Sequence, residues 1–121
     1  MKERDLKLRS KSFAHNCVKL ALSLPKNYLG NHISNQLIRC ATSVAANYRA
    51  SSLAQTKKSF IAKMSIVIEE ADECIFWIEF LQEENFLKNI EYIPVLKEAK
   101  ELTAIFIASR ITAEKSNKRN D

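Results

Sequence analysis

One glycine and two prolines in 121 residues leave few places for the chain to turn. That scarcity excludes the many-turned sheet architectures and favours a few long helices. No stretch is long and apolar enough to span a membrane, and the charged start MKERDLKLRSKS is followed by no apolar run of the signal-peptide kind. A cytoplasmic location is the expectation. Cys17, Cys40 and Cys74 include no CxxC spacing and each falls on an apolar stripe, as buried, reduced thiols do. There is no glycine-rich phosphate loop and no local Ser-His-Asp or Cys-His motif. Acids are missing altogether from Leu6 to Ile68, where Lys7, Arg9, Lys11, Lys19, Lys26, Arg39, Arg49, Lys57, Lys58 and Lys63 stand uncompensated.

From Glu69 to Glu101 the balance inverts, with ten acids against Lys88, Lys97 and Lys100, so the net charge of +5 conceals a dipolar chain. Either the two halves pair with each other, within or between subunits, or the basic half faces an anionic partner such as nucleic acid. The 46% apolar content is enough for the core of one domain over residues 1–121, without disulfide or metal.

Apolar spacing divides that domain into four helices, at about 10–24, 32–50, 56–85 and 93–114, with a frayed tail at 115–121. The first seam is Phe13, Cys17, Leu20 and Leu24. Pro25 and Gly30 then turn the chain, and Asn31 is the expected cap of the second helix. Its seam runs Ile33, Leu37, Cys40, Val44 and Asn47, an amide where a core residue is expected. SSLAQT bends the chain into the longest helix, whose heptad pattern is Phe60, Met64, Val67, Ala71, Cys74, Ile78 and Leu81. Pro94 suits the first turn of the fourth helix, with its seam Val95, Ala99, Leu102, Phe106, Ser109 and Ala113. Four seamed helices with short joints predict an all-α, antiparallel up-and-down four-helix bundle.

The segment CIFWIEFL does not suit a solitary bundle. Cys74, Ile78 and Leu81 use the seam, which leaves Phe76, Trp77 and Phe80 on the flank and outer face, where Ile66 extends the apolar strip. A subunit interface, hence a homo-oligomer, is the expectation.

Several chemistries are set aside. Glu69, Glu70, Asp72 and Glu73 invite a di-metal reading, but the first two helices supply no acids and the Glu-x-x-His pairs are missing. His15 and His32 lie on different helices without ligand spacing to any cysteine. Arg9 and His15, in RSKSFAH, follow the arginine-gap-histidine order of some small helical ribonucleases, a weak signal from two common residues. Neither an enzyme nor a cofactor or metal is expected.

The stretch QLIRCATSVAANYRASSLAQTKKSFIAKMSIVIEEADECIFWIEFL resembles the central helices of the 23S rRNA intervening-sequence proteins, also called the S23 ribosomal protein family. The elements that carry the resemblance are R-x-A-T-S-V-x-A-N-Y-R, K-K-S-F-I-A-K and E-E-A-D-E-x-x-x-W. It extends from about Phe13 through KEAKELTAIFIASRITA. It implies a small bacterial four-helix protein whose relatives form ring-like homopentamers, some encoded within intervening sequences of 23S rRNA genes. A related accessory protein of diversity-generating retroelements binds a reverse transcriptase and nucleic acid through a basic surface, and no enzymatic activity is established for the family. This chain differs from a common family variant, in which proline precedes the asparagine and an acidic-glycine pair follows it.

Ala41, Ala45, Ala46 and Ala50 are read as small residues for close helix packing, and Asn47 as a polar core group whose acceptor is Glu70 or Glu73. Arg39, Arg49, Lys57, Lys58 and Lys63 are the candidates for phosphate contacts, with Tyr48 or Trp77 available to stack on a base. The expected function is an interaction scaffold that binds RNA, DNA or a nucleoprotein through this basic surface. The alternative is an adaptor for an acidic protein without nucleic acid.

Overall fold

In the computed structural model the backbone is described for residues 2–87 and 89–120, and side chains for 5–87 and 91–116. Four helices account for most of it: α1 (Lys2–Leu22), α2 (Tyr28–Ser51), α3 (Lys57–Glu83) and α4 (Asn89–Asn120). No strand occurs among the described residues. α1 packs on α2, α2 on α3, α3 on α4, and α4 returns to α1, forming a four-helix bundle.

The shared core is the set of seams read from the spacing. Phe13 and Cys17 of α1, Ile33, Leu37, Cys40 and Val44 of α2, Met64 through Leu81 along α3, and Ala99, Leu102 and Phe106 of α4 are all essentially inaccessible. Phe60 of the third expected seam and Val95, Ser109 and Ala113 of the fourth are only half-buried, and the second seam departs from expectation at its end. After Val44 the buried stripe takes a step of four rather than three, so Tyr48 enters the core and Asn47 stays half-buried on the flank. The Tyr48 ring packs against Phe106 with centroids 5.3 Å apart, burying an aromatic where an amide would need a partner.

The helix ends also differ from the spacing-based expectation. α1 begins at Lys2 rather than near residue 10, because the charged run KERD carries no apolar period to reveal it. α2 is capped by Asn27, not Asn31: the extended Asn27 accepts the Gly30 N–H on Oδ1 at 2.8 Å, while Asn31 lies inside the first turn. Thr56 caps α3 in the same way, accepting the Ser59 N–H at 3.0 Å. α3 ends in a Schellman motif, with Asn85 left-handed at φ 59° and the Phe86 N–H reaching the Leu81 carbonyl at 3.0 Å. α4 starts at Asn89 and not 93, so Pro94 lies one turn inside it, and the expected tail from 115 to 120 is helical.

Gly30 is fixed by space rather than by backbone conformation. It is buried at the start of α2, where an added methyl group would run into the carbonyl oxygen of Pro25. Gly30→Ala should therefore lower stability by about 1–3 kcal/mol through overpacking, measurable by urea denaturation. Helix propensity alone would make the same change stabilising, so the sign of the effect separates the two.

Candidate functional site

The ten cations of the basic half do not share one role. Arg39, near the middle of α2, reaches across to α3, where Nη1 donates to Glu70 Oε1 at 3.1 Å and Nη2 donates to Glu73 Oε2; its Nε donates to Gln36 at 3.2 Å. Arg9 does the same between α1 and α4, donating from Nε and Nη2 to the two Glu98 oxygens at 3.0 and 2.6 Å and to Glu101 at 3.4 Å. The acid-free half and the acidic half are thus joined by cross-helix ion pairs within one chain. Arg9 spends its guanidinium on Glu98, and His15 is solvent-exposed.

These contacts correct the assignment of Asn47. Its Nδ2 donates to the Ser43 carbonyl at 3.0 Å and to Ser43 Oγ at 2.9 Å, one turn earlier on its own helix. Glu70 and Glu73 are engaged by Arg39 instead. The longer, charged side chain reaches carboxylates that a short amide on the flank does not.

The remaining candidates gather at one end. Arg49 occupies the last turn of α2 and Lys57 and Lys58 the first turn of α3, all exposed, with Lys63 half-buried farther along α3. Among the described residues none of these four is paired with a carboxylate. Lys57 Nζ donates to Ser116 Oγ, which brings the C-terminal part of α4 to the same end, with the exposed Lys115 beside it. Lys115 was not singled out from the sequence, since only the return of α4 connects it to the α2–α3 junction. Arg39 does not join this group, because it sits at the level of Glu70 and Glu73.

A second surface runs along α3. Phe76 is 53% exposed and Ile66 38%, whereas Trp77 and Phe80 are half-buried and lean on the core. The three rings form one cluster: Phe76 and Trp77 meet edge to face at 5.0 Å, and Phe76 and Phe80 stack at 5.9 Å. His32 of α2 meets the edge of Trp77 at 5.8 Å. Trp77 Nε1 donates to Glu73 Oε2 at 3.1 Å, so the Arg39 ion pair also orients the aromatic cluster. Glu69 and Asp72 are exposed on the same helix. Among the described residues no group of three or more His, Cys, Asp or Glu is placed to hold a metal ion. None of the described helices is long and apolar enough to cross a membrane.

Residues 2–108 match the family described as 23S rRNA-intervening sequence protein. The chain belongs to that family. It is also similar to a protein of unknown function from the S23 ribosomal protein family of Bacteroides thetaiotaomicron VPI-5482. That crystal structure, at 1.70 Å resolution, shares 28% sequence identity with a TM-score of 0.82, over 91% of this chain and 98% of that one. No curated protein matches the chain. The 23S rRNA-intervening sequence match takes in the Arg39 ion pairs, the aromatic cluster and the α2–α3 junction, and stops before Lys115 and Ser116.

Hydrogen bonding from Arg39 holds the Glu73 carboxyl below the usual carboxylate range, against the opposing effect of partial burial and with further help from Trp77. A folded-state value below the unfolded one means that the contribution is present above the unfolded carboxylate pKa of about 4.3 and is lost as pH falls through the folded value. Thermal melts followed by circular dichroism should therefore show the midpoint falling with acidification in that range, and less steeply in Glu73→Gln. Parallel pH profiles for the two proteins would show that Glu73 contributes nothing to the acid response.

Proposed function

We propose that this 23S rRNA-intervening sequence family member is a non-enzymatic scaffold that assembles from several copies and binds nucleic acid with one end of each bundle. The observation that carries the reading is a group of cations that have no carboxylate partner among the described residues, Arg49, Lys57 and Lys58 at the α2–α3 junction with Lys63 farther along α3. Unpaired lysine and arginine side chains are the groups that neutralise backbone phosphates, whereas Arg9 and Arg39 would have to give up their glutamates first.

An antiparallel up-and-down order is part of the proposal. In its support, Lys57 at the start of α3 meets Ser116 late in α4, while Glu79 near the end of α3 pairs with Lys100 earlier in α4 at 3.4 Å. Such an order puts the C-terminal end of α2, the start of α3 and the last turns of α4 together, which extends the basic surface to Lys115. Assembly through Ile66, Phe76, Trp77 and Phe80 accounts for the uncovered rings, the family resemblance implies five copies, and a cytoplasmic location is part of the proposal.

Binding to RNA and DNA fragments across a salt series tests the nucleic-acid reading. Phosphate neutralisation gives a slope of about −0.9 per contact in log affinity against log salt for duplex DNA. Lys57→Glu combined with Lys58→Glu should weaken binding without regard to base sequence and make that slope shallower by about 2, with helicity unchanged. No binding by the wild-type protein at low salt would overturn the reading in favour of an adaptor for an acidic protein.

A further inference from the structure

Cys17, Cys40 and Cys74 come from three different helices and all three thiols are free and fully buried. They meet inside the bundle. Cys40 Sγ and Cys74 Sγ lie 3.3 Å apart, with Cys17 near Cys74. The Cys40–Cys74 contact is braced from next door in the sequence: Arg39 precedes Cys40 on α2 and Glu73 precedes Cys74 on α3, and these two residues form the ion pair that joins the helices. Ala41, next to Cys40, and Ala71, one turn before Cys74, are small residues that are also buried. α2 and α3 pack directly on one another, whereas α1 and α3 do not, so Cys40 and not Cys17 is the natural partner of Cys74.

We propose that Cys40 and Cys74 form an oxidisable pair that hydrogen peroxide converts into an intramolecular disulfide linking α2 to α3. One sulfur gives up its proton and attacks the peroxide: an S–O bond forms, the O–O bond breaks, and the released oxygen leaves as water. The second sulfur then displaces the hydroxyl of the sulfenic acid; the S–S bond forms, the S–O bond breaks, and a second water leaves with the second thiol proton. Two thiols lose two electrons in total, and one peroxide is reduced to two waters. A small uncharged oxidant is required, because neither sulfur has exposed surface. The sulfurs need about 1.3 Å of further approach from 3.3 Å to reach the bond length of about 2.0 Å.

Hydrogen bonding to Cys74 and burial raise the Cys40 thiol above its ordinary pKa, and hydrogen bonding to Cys17 raises that of Cys74. Thiolate is the reacting form, so the link forms slowly at neutral pH and faster as pH rises. The pair therefore answers sustained rather than brief oxidant exposure, and once closed it fixes the segment between residues 40 and 74, which includes the basic junction.

The test is peroxide treatment of the native full-length protein, followed by intact mass and non-reducing peptide mapping. The expected product has lost two hydrogens, carries a Cys40–Cys74 cross-linked peptide with Cys17 free, and returns to the starting mass with dithiothreitol. Its melting midpoint should rise by roughly 10 °C. Cys17→Ala should still form the link, and Cys40→Ala should not. An unchanged mass, added oxygens without a cross-link, a link through Cys17, or a link that forms only after denaturation would each overturn the proposal. Mapping on the wild-type chain decides the matter even if a variant fails to fold.

Discussion

The rest of the structure obeys one constraint on α3: it packs on two neighbours, yet it is apolar around more of its circumference than two neighbours cover. Its inner stripe, from Met64 to Leu81, is sealed by α2 and α4. Trp77 and Phe80 lean on the flank, Phe76 keeps about half of its surface in solvent, and Ile66 keeps 38%. A helix with this distribution sets the bundle on one side and leaves on the other an apolar strip of the kind that marks interaction surfaces. Full burial of an exposed aromatic side chain contributes about 1.5–3 kcal/mol, and of the three rings Phe76 has the most left to gain, since Trp77 and Phe80 are already half-buried.

Charge is arranged around that helix in two layers. Arg39 and Arg9 tie α2 to α3 and α1 to α4, and because these pairs are partly solvated their worth lies more in fixing helix register than in stability. Arg39 also reaches the aromatic cluster through Glu73 and Trp77, so helix register and the orientation of the exposed rings are set by one network. Subtracting the paired arginines still leaves exposed lysines along α1 and the α1–α2 connection, Lys7, Lys11, Lys19 and Lys26, as well as the group at the α2–α3 junction, which the neighbouring part of α4 joins. In a 23S rRNA-intervening sequence protein that residue-level partition is more informative than the net charge.

Most of the core was legible in the sequence, because helical spacing of apolar residues is a direct record of burial. Phe13, Leu37, Cys74 and Phe106 are buried where their spacing placed them. The misreadings occur where spacing is silent. A step of three or four is equally helical, so Asn47 and Tyr48 competed for one core position and only the packing against Phe106 decides between them. Asn27 and Asn31 have the same capping chemistry, and the difference is that Asn27 is extended and aimed at the Gly30 N–H. The first turns of α1 and the last turns of α4 are rich in charged and polar residues and carry too few apolar ones to show a period. Arg39 and Arg49 look alike in sequence; facing Glu70 and Glu73 across a helix pair is a property of the fold alone.

The central claim is that the α3 aromatic surface is covered by another copy of the chain. Native mass spectrometry at micromolar concentration measures this most directly, on the wild-type protein beside Phe76→Glu combined with Phe80→Glu. The account predicts a wild-type oligomer, with five copies the number implied by the family resemblance, and smaller species that keep their helical circular dichroism in the double variant. A wild-type protein that is monomeric under these conditions would contradict it.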